Sequence, residues 1–446
     1  MKITPGKDED RVRKRTLSEC LHVSVCKREF KQQRLDAFVH FHRFQMSDVD
    51  ELMQAVDTGD VASLSALISA RADINVTDSQ KRTLLHQVVE TGHVQMFEML
   101  IAAKANVNVR DHEGQTPLHL AAKKAHTTIM QLLIDAKANV SFQDRDGNAP
   151  LHCAAEGGHW RALWVLLDAK ASVTIVNRRR ESALHVAASE GRDDAARVLL
   201  RGKADVDSRT GSGQTALHYA VLSKLSSTVQ LLVDAKANVD LVDVFNHRSV
   251  PLHIAAWAGD LATVSMLVKA RASVINLLDT EGWTPLHRAA LRDYSEIMQL
   301  LVDAKANVNL VNQHSGLTAL HSAVECGYFA ATQVLIDAKA SLEARADDSS
   351  ESTPLHLAAS RGTVAVMQLL VDAKAALEAR DSNHNTPLHR AVRREDCEKV
   401  LVLLTARAAL DAENKDMQTP LQLASRSGSA EIIRLLLNHV TDSSPK

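Results

Sequence analysis

Histidine and cysteine are the residues of this chain whose types can do chemistry near neutral pH. His152-Cys153, and His321 with Cys326 five residues on, set an imidazole beside a thiol, the pairing from which a thiolate nucleophile is made. The 21 histidines also supply metal-ligand chemistry in quantity. Neither reading develops. Each His/Cys pair lies within one short segment, without an orienting third group and without a Gly-rich oxyanion loop. No CxxC, HExxH, GxGxxG or GxxxxGK[ST] motif occurs. Ten of the histidines end the same tetrad, once per segment, so they cannot converge on one ion. The chain is therefore read as not an enzyme. No catalytic, cofactor-binding or metal-ligating residue is assigned, and neither cofactor nor small-molecule substrate is expected.

The elements that carry these histidines repeat. The tetrad is Thr-Pro-Leu-His or a close relative, from Thr83–His86 to Thr386–His389, with Thr419-Pro-Leu-Gln422 as the last copy. The Leu before the His or Gln falls at 85, 118, 151, 184, 217, 252, 286, 320, 355, 388 and 421, giving spacings of 33, 33, 33, 33, 35, 34, 34, 35, 33 and 33. A second marker keeps the same period: Gln230–Val239 and Gln299–Val308 both read QLLVDAKANV, with close copies at Gln131–Val140 and Gln368–Leu377. An active site is assembled once; a ten-residue stretch written four times belongs to a stacked unit.

Each unit has a physical reading. Thr before Pro is an N-cap followed by a favoured first helical residue. The next Leu and a pair such as Ala121-Ala122 face the neighbouring unit, where small side chains allow close approach. Gly92, Gly158, Gly191, Gly259, Gly327, Gly362 and Gly428 end this first helix. A second helix carries the Leu-Leu pair and ends at Asp-Ala-Lys, and a short hairpin with a polar tip follows. One unit cannot bury its apolar face alone; stacking about twelve makes a continuous core.

Period and tetrad together resemble the ankyrin repeat family over roughly 47–440, about nine tenths of the chain. The fold implied is an all-α solenoid of stacked helix-turn-helix units with β-hairpin loops. Residues 46–80 are read as an N-terminal capping repeat, 81–417 as internal repeats and 418–440 as a C-terminal capping repeat. One feature departs from the family pattern. Where Gly is usual after the second helix, this chain has Lys104, Lys137, Lys170, Lys203, Lys236, Lys305, Lys339 and Lys374, with Arg71, Arg271 and Arg407 at equivalent sites. That position commonly needs a left-handed φ. Repeats with Ala125, Lys224, Asp293 or Glu395 in place of the helix-ending Gly are expected to be locally soft.

Composition fits such an array. Aromatics are 3% of 446 residues, against 45% hydrophobic and 24% charged, which suits thin layers of Leu, Val, Ile and Ala. A net charge of −2 gives no global field toward nucleic acid or anionic membrane. Five scattered cysteines point to free thiols in a reducing compartment, so the expected location is intracellular, in the cytoplasm with the nucleus as alternative. No apolar run is long enough to cross a membrane, and the N-terminus lacks the apolar core of a secretory signal. Met1–Gln45 holds eleven Lys/Arg against six Asp/Glu and is expected to be a solvated tail, disordered or partly helical; 441–446 is a short polar tail. Two short motifs, Leu67 with Asp73-Ile74-Asn75 and Arg13–Ser18, resemble an asparaginyl-hydroxylation and a basophilic kinase site, patterns that commonly occur by chance.

The resemblance also implies where function lies. Ankyrin arrays bind other proteins on their concave face, through hairpin tips and the exposed end of each first helix. At those positions repeats two to five are mostly polar. The central repeats place Leu222, Phe245, Trp257, Trp283, Leu291 and Arg292 there, a Trp/Arg composition typical of interface hot spots; the competing reading is that these Trp cover their own repeat. Farther on, Arg361, Arg393, Arg394 and Arg426 recur at the first-helix end. They suit an acidic partner segment, or form a solvated edge balanced by Asp347, Asp348 and Glu351. The function implied is a monomeric, non-catalytic scaffold or adaptor with protein partners and no membrane insertion. The alternative is a regulatory targeting subunit whose basic tail engages nucleic acid or an acidic surface.

Overall fold

The computed structural model describes residues 51–244, 248–270, 272–346 and 350–442. The basic tail, the kinase-like motif, Phe245, Arg271, Asp347, Asp348 and the last four residues lie outside these. The described residues form twelve helix pairs, from 51–57 with Val61–Ser69 to Pro420–Ser427 with Ala430–Asp442. The chain divides into two units, Met1–Cys153 with Asp168–Ala171, and Ala154–Leu167 with Ser172–Lys446.

The tetrad explains why each first helix starts where it does. Thr116 is extended (φ −98°, ψ 165°), Pro117 follows at the first helical position, and the third helical residue, His119, closes a capping box. His119 Nδ1 accepts the Thr116 backbone N–H at 3.1 Å and lies 2.8 Å from Thr116 Oγ1. The same box forms at Thr83, Ser182, Thr215, Thr284, Thr318, Thr353 and Thr386. In the last repeat Gln422 Oε1 takes over the acceptor role, at 2.8 Å from Thr419 N. Val250 supplies no hydroxyl, and there His253 Nδ1 has no partner among the described residues.

Within the first unit, Leu84–Thr91 packs on Pro117–Lys123 and each packs on its own second helix. The core is thin and aliphatic: Leu85, Val88, Val89, Met96, Phe97, Leu118, Ala121, Ala122, Met130 and Leu133 are all but completely buried. Within the second unit, first helices pack on first helices in unbroken succession from Ala183–Ser189 to Pro420–Ser427. From the fifth to the eleventh repeat each layer buries the tetrad Leu, an Ala-Ala or Ala-Val pair and at least one Leu of the second helix. Alanine is what lets these helices lie close.

The loops differ in one respect from the hairpins expected. Pairing is confined to isolated antiparallel bridges, Thr77 with Thr83, Val176 with Ser182 and Val311 with Thr318, and no longer strand forms among the described residues. The reason is side-chain competition. Asp78 Oδ1 accepts the N–H groups of Gln80 and Arg82 at 2.8 Å each. Asp144, Asn177, Asp279, Asp381 and Asn414 likewise accept from the residues two and four on. The turn is closed by an Asx side chain, leaving too few residues for a ladder. Successive loops are tied by side chain to backbone, as where Asn75 Oδ1 accepts from Asn106 N at 3.0 Å and Asn108 Oδ1 from Asn139 N at 2.8 Å.

The Lys positions are left-handed, as their register requires: φ lies between 62° and 71° at Lys104, Lys137, Lys170, Lys203, Lys236, Lys305, Lys339 and Lys374, with Arg71 and Arg407 alongside. Ala125, Lys224, Asp293 and Glu395 also sit at positive φ. Two of these recover energy through side chains, Lys224 Nζ to Ala258 O at 2.9 Å and Asp293 Oδ1 from Ala331 N at 3.2 Å. Gly362 is the exception. Its φ is not left-handed, and a Cβ there would meet Ala358 Cα at 2.8 Å and Val324 O at 3.0 Å, so it serves close packing and not a helix cap. A left-handed non-Gly residue costs about 1–2 kcal/mol, partly offset by the smaller entropy its unfolded chain loses. Lys137→Gly and Lys305→Gly should therefore each stabilise the array by about 0.5–1 kcal/mol, read as a rise in the urea midpoint. A fall would show that the Lys side chains contribute more than the backbone strain costs.

Candidate functional site

The tetrad histidines are structural. Beyond the capping box, Nε2 reaches on to the next loop, 3.0 Å from Asn148 O at His119, 3.1 Å from Leu317 O at His287 and 2.9 Å from Asn385 O at His356; His218 is the exception, its Nε2 buried with no hydrogen-bond partner among the described residues. Where both bonds form, Nδ1 accepts and Nε2 donates, so the network assigns the neutral Nε2–H tautomer. Burial holds the ring neutral. It pushes His119, His218, His253 and His287 down to about 4 and lowers His86, His356 and His389, against smaller upward contributions from loop carbonyls and carboxylates.

Among the described residues, the two thiols with a shifted titration are shifted away from the thiolate. Cys153 is buried. Cys326 is raised above the ordinary thiol value by burial and by Glu325, and Cys397 by burial and by Glu431. Both nitrogens of His321 are engaged, by Thr318 and by Ser352 O. Among the described residues no group of three or more His, Cys, Asp or Glu is placed to hold a metal ion, and no helix is long and apolar enough to cross a membrane.

The surface residues named from the sequence share a register. Leu222, Trp257, Leu291, Arg393 and Arg426 are four residues past the tetrad His or Gln; Arg292, Arg361 and Arg394 are five past it. Leu222 is 45% exposed and Trp257 42%, at the ends of first helices that pack directly on one another. Leu291 is part-buried and Arg292 exposed. The Arg292 guanidinium lies 4.7 Å from the Trp257 ring centre and that of Arg288 at 5.5 Å, both in cation–π range.

Arg288 is the residue that sequence reasoning missed. It bonds Asp279 Oδ2 through Nε at 2.9 Å and Nη2 at 2.6 Å, and Glu281 Oε2 at 2.9 Å. The Asp279 side chain is fully buried. Asp279 also accepts the Trp283 N–H at 2.9 Å. Loop, Trp283 and the support beneath Trp257 are thus one unit. The signal was an Arg directly after the tetrad His, nine residues past the loop Asp, a spacing that recurs as Asp381 with Arg390. Trp283 itself is half-buried, its ring 5.4 Å from that of His287 and its carbonyl 3.1 Å from His253 Nε2.

Arg361 is exposed and ion-paired to Glu325 of the preceding repeat. Arg393, Arg394 and Arg426 are exposed and make no ion pair among the described residues. The other two of the four tryptophans, Trp160 and Trp164, were not named as candidates. They are 38% and 47% exposed, one turn apart on a second helix, with Arg161 4.4 Å over Trp160.

Stacked helix pairs with capped, His-linked tetrads define a repeat protein whose exposed variation lies at the helix ends. The chain belongs to the ankyrin repeat family. The model for three-copy ankyrin repeats matches residues 52–144, 98–177, 124–210, 151–243, 252–346 and 339–414, and the single ankyrin repeat matches 416–444. Ankyrin repeats are in general protein–protein interaction modules. No curated protein matches the chain.

Proposed function

We propose that the protein is a non-catalytic scaffold or adaptor that holds partner proteins on the first-helix face of its central repeats. The observation that carries this is the Trp257 cluster. In a chain with four Trp, one is left 42% exposed between Leu222 and Leu291, with two guanidinium groups over its ring. One of these, Arg288, is anchored on a buried carboxylate. A large, rigid apolar side chain held by its neighbours loses little freedom on binding, so its contact energy is not spent on ordering. Affinity capture from source-cell lysate, comparing the wild-type chain with Trp257→Ala, tests the reading: a discrete partner should be recovered with the first and lost with the second. Recovery of the same proteins at the same yield with both would refute it.

A further inference from the structure

Resting on that reading, we propose that the partner element lying along the seventh to twelfth repeats is one extended acidic segment. An apolar side chain anchors it at Trp257 and Leu291, and its carboxylates meet Arg393, Arg394 and Arg426.

The register row changes character along the second unit. Leu222, Trp257 and Leu291 give an apolar stretch; Glu325 and Arg361 neutralise one another across adjacent repeats; Arg393, Arg394 and Arg426 then stand exposed without carboxylate partners among the described residues. Continuity of the face is shown by direct contacts, Arg292 over Trp257 and Arg361 on Glu325, and by the unbroken succession of first-helix packing. The helix dipole does not account for the cations. A positive charge is favoured at any helix C-terminus, yet the same register holds Glu90, Glu156 and Glu325 in other repeats. In contrast, Arg390, one turn back, is committed to the buried Asp381 carboxylate at 2.5 Å. The row therefore offers charge to something outside the fold, and its sign selects carboxylates.

The spacing sets the length. With helices about 8–10 Å apart, Leu291 and Arg426 are separated by four repeats, about 40 Å. A chain extended at about 3.3 Å per residue covers this in roughly a dozen residues. A single-stranded nucleic acid fits less well. Its charge is uniform along its length, whereas this row runs from apolar through a neutralised pair to cationic.

The test pans the full chain against a phage-displayed library of random peptides about 16 residues long at low salt. Selected peptides are then measured by fluorescence anisotropy, with single-stranded poly(U) as competitor. The expected winners pair Leu or an aromatic residue with Asp/Glu about eight to twelve residues away. Arg393→Glu/Arg394→Glu/Arg426→Glu should weaken them about tenfold or more, and the corresponding triple Gln variant by less. Far-UV circular dichroism of both variants should match the wild type. The inference is overturned if nothing is selected, if the winners carry no acidic residues, if neither triple variant weakens them, or if poly(U) displaces them at lower concentration than free peptide. Loss in Trp257→Ala with both Arg variants unaffected would leave the binding-surface reading standing and remove the acidic segment. Binding indifferent to all three variants would remove both.

Discussion

Trp257→Ala is expected to weaken binding of the partner by about 30-fold or more while barely moving the unfolding temperature. The two halves of that statement have separate causes. Truncating a central, well-supported Trp at an interface typically costs about 2 kcal/mol or more, because the partner's apolar group is left facing water and the cation–π contacts of Arg288 and Arg292 are lost. Stability, on the other hand, depends on the Leu and Ala layers between helices. Trp257 is 42% exposed and lies outside them, whereas Leu286 is 1% exposed within them. Leu286→Ala, with an expected cost of about 2–5 kcal/mol, is the internal standard for damage to the fold. Titration of the purified partner against both variants, with matched thermal melts, checks the pair. A Trp257→Ala variant that binds normally would place the anchor elsewhere, Trp160 and Trp164 being the other exposed pair.

The second large effect is acid lability. His119, His218, His253 and His287 are held by burial at about 4, against about 6.5 in an unfolded chain. The folded pKa is depressed for a base, so the unfolded state binds the extra proton. The contribution is fully present above pH 6.5 and is lost progressively as pH falls through 6.5 toward 4. At pH 5 each such histidine contributes roughly 2 kcal/mol less than at pH 7, and His86, His356 and His389 act in the same direction. A protonated ring would also turn Nδ1 from acceptor to donor against the Thr N–H of its own capping box. Urea midpoints by circular dichroism should therefore drop steeply between pH 7 and pH 5. Within that drop, His287→Gln should flatten the share of its own repeat, since Gln422 shows that an amide oxygen can serve the same Thr N–H. A midpoint independent of pH over this range would mean that the histidines are hydrated, contrary to their burial.

Most of the fold was legible because the repeat writes its own boundaries. Thr-Pro-Leu-His fixes a cap, a first helical residue, a core contact and the bond to the next loop within four letters, and eleven copies in register leave no other period. The left-handed Lys positions were legible through the resemblance, which puts Gly at the register that Lys104 and its counterparts occupy. What escaped was governed by contacts between distant residues. Gly362 looks like its capping counterparts, but Ala358 and Val324 crowd it, and crowding has no local signature. The loops were expected to pair as β-hairpins; Asx side chains that capture the same N–H groups reduce them to single bridges. Arg288, one residue past a tetrad His, was not singled out, because its partner Asp279 is nine residues upstream on the loop. The site residues were legible as positions but not as a cluster: Leu222, Trp257, Leu291 and Arg292 follow from register, whereas the support of Trp257 by a buried ion pair does not.

The central claim is that partners are held on the first-helix ends of the central repeats. Hydrogen–deuterium exchange of the full chain, free and saturated with the captured partner, tests it most directly. Protection should rise at the C-terminal ends of Ala216–Leu222, Pro251–Ala258 and Pro285–Ala290 and in the residues just beyond them. Protection confined to Trp160–Asp168 and other second helices, with these segments unchanged, would contradict the account.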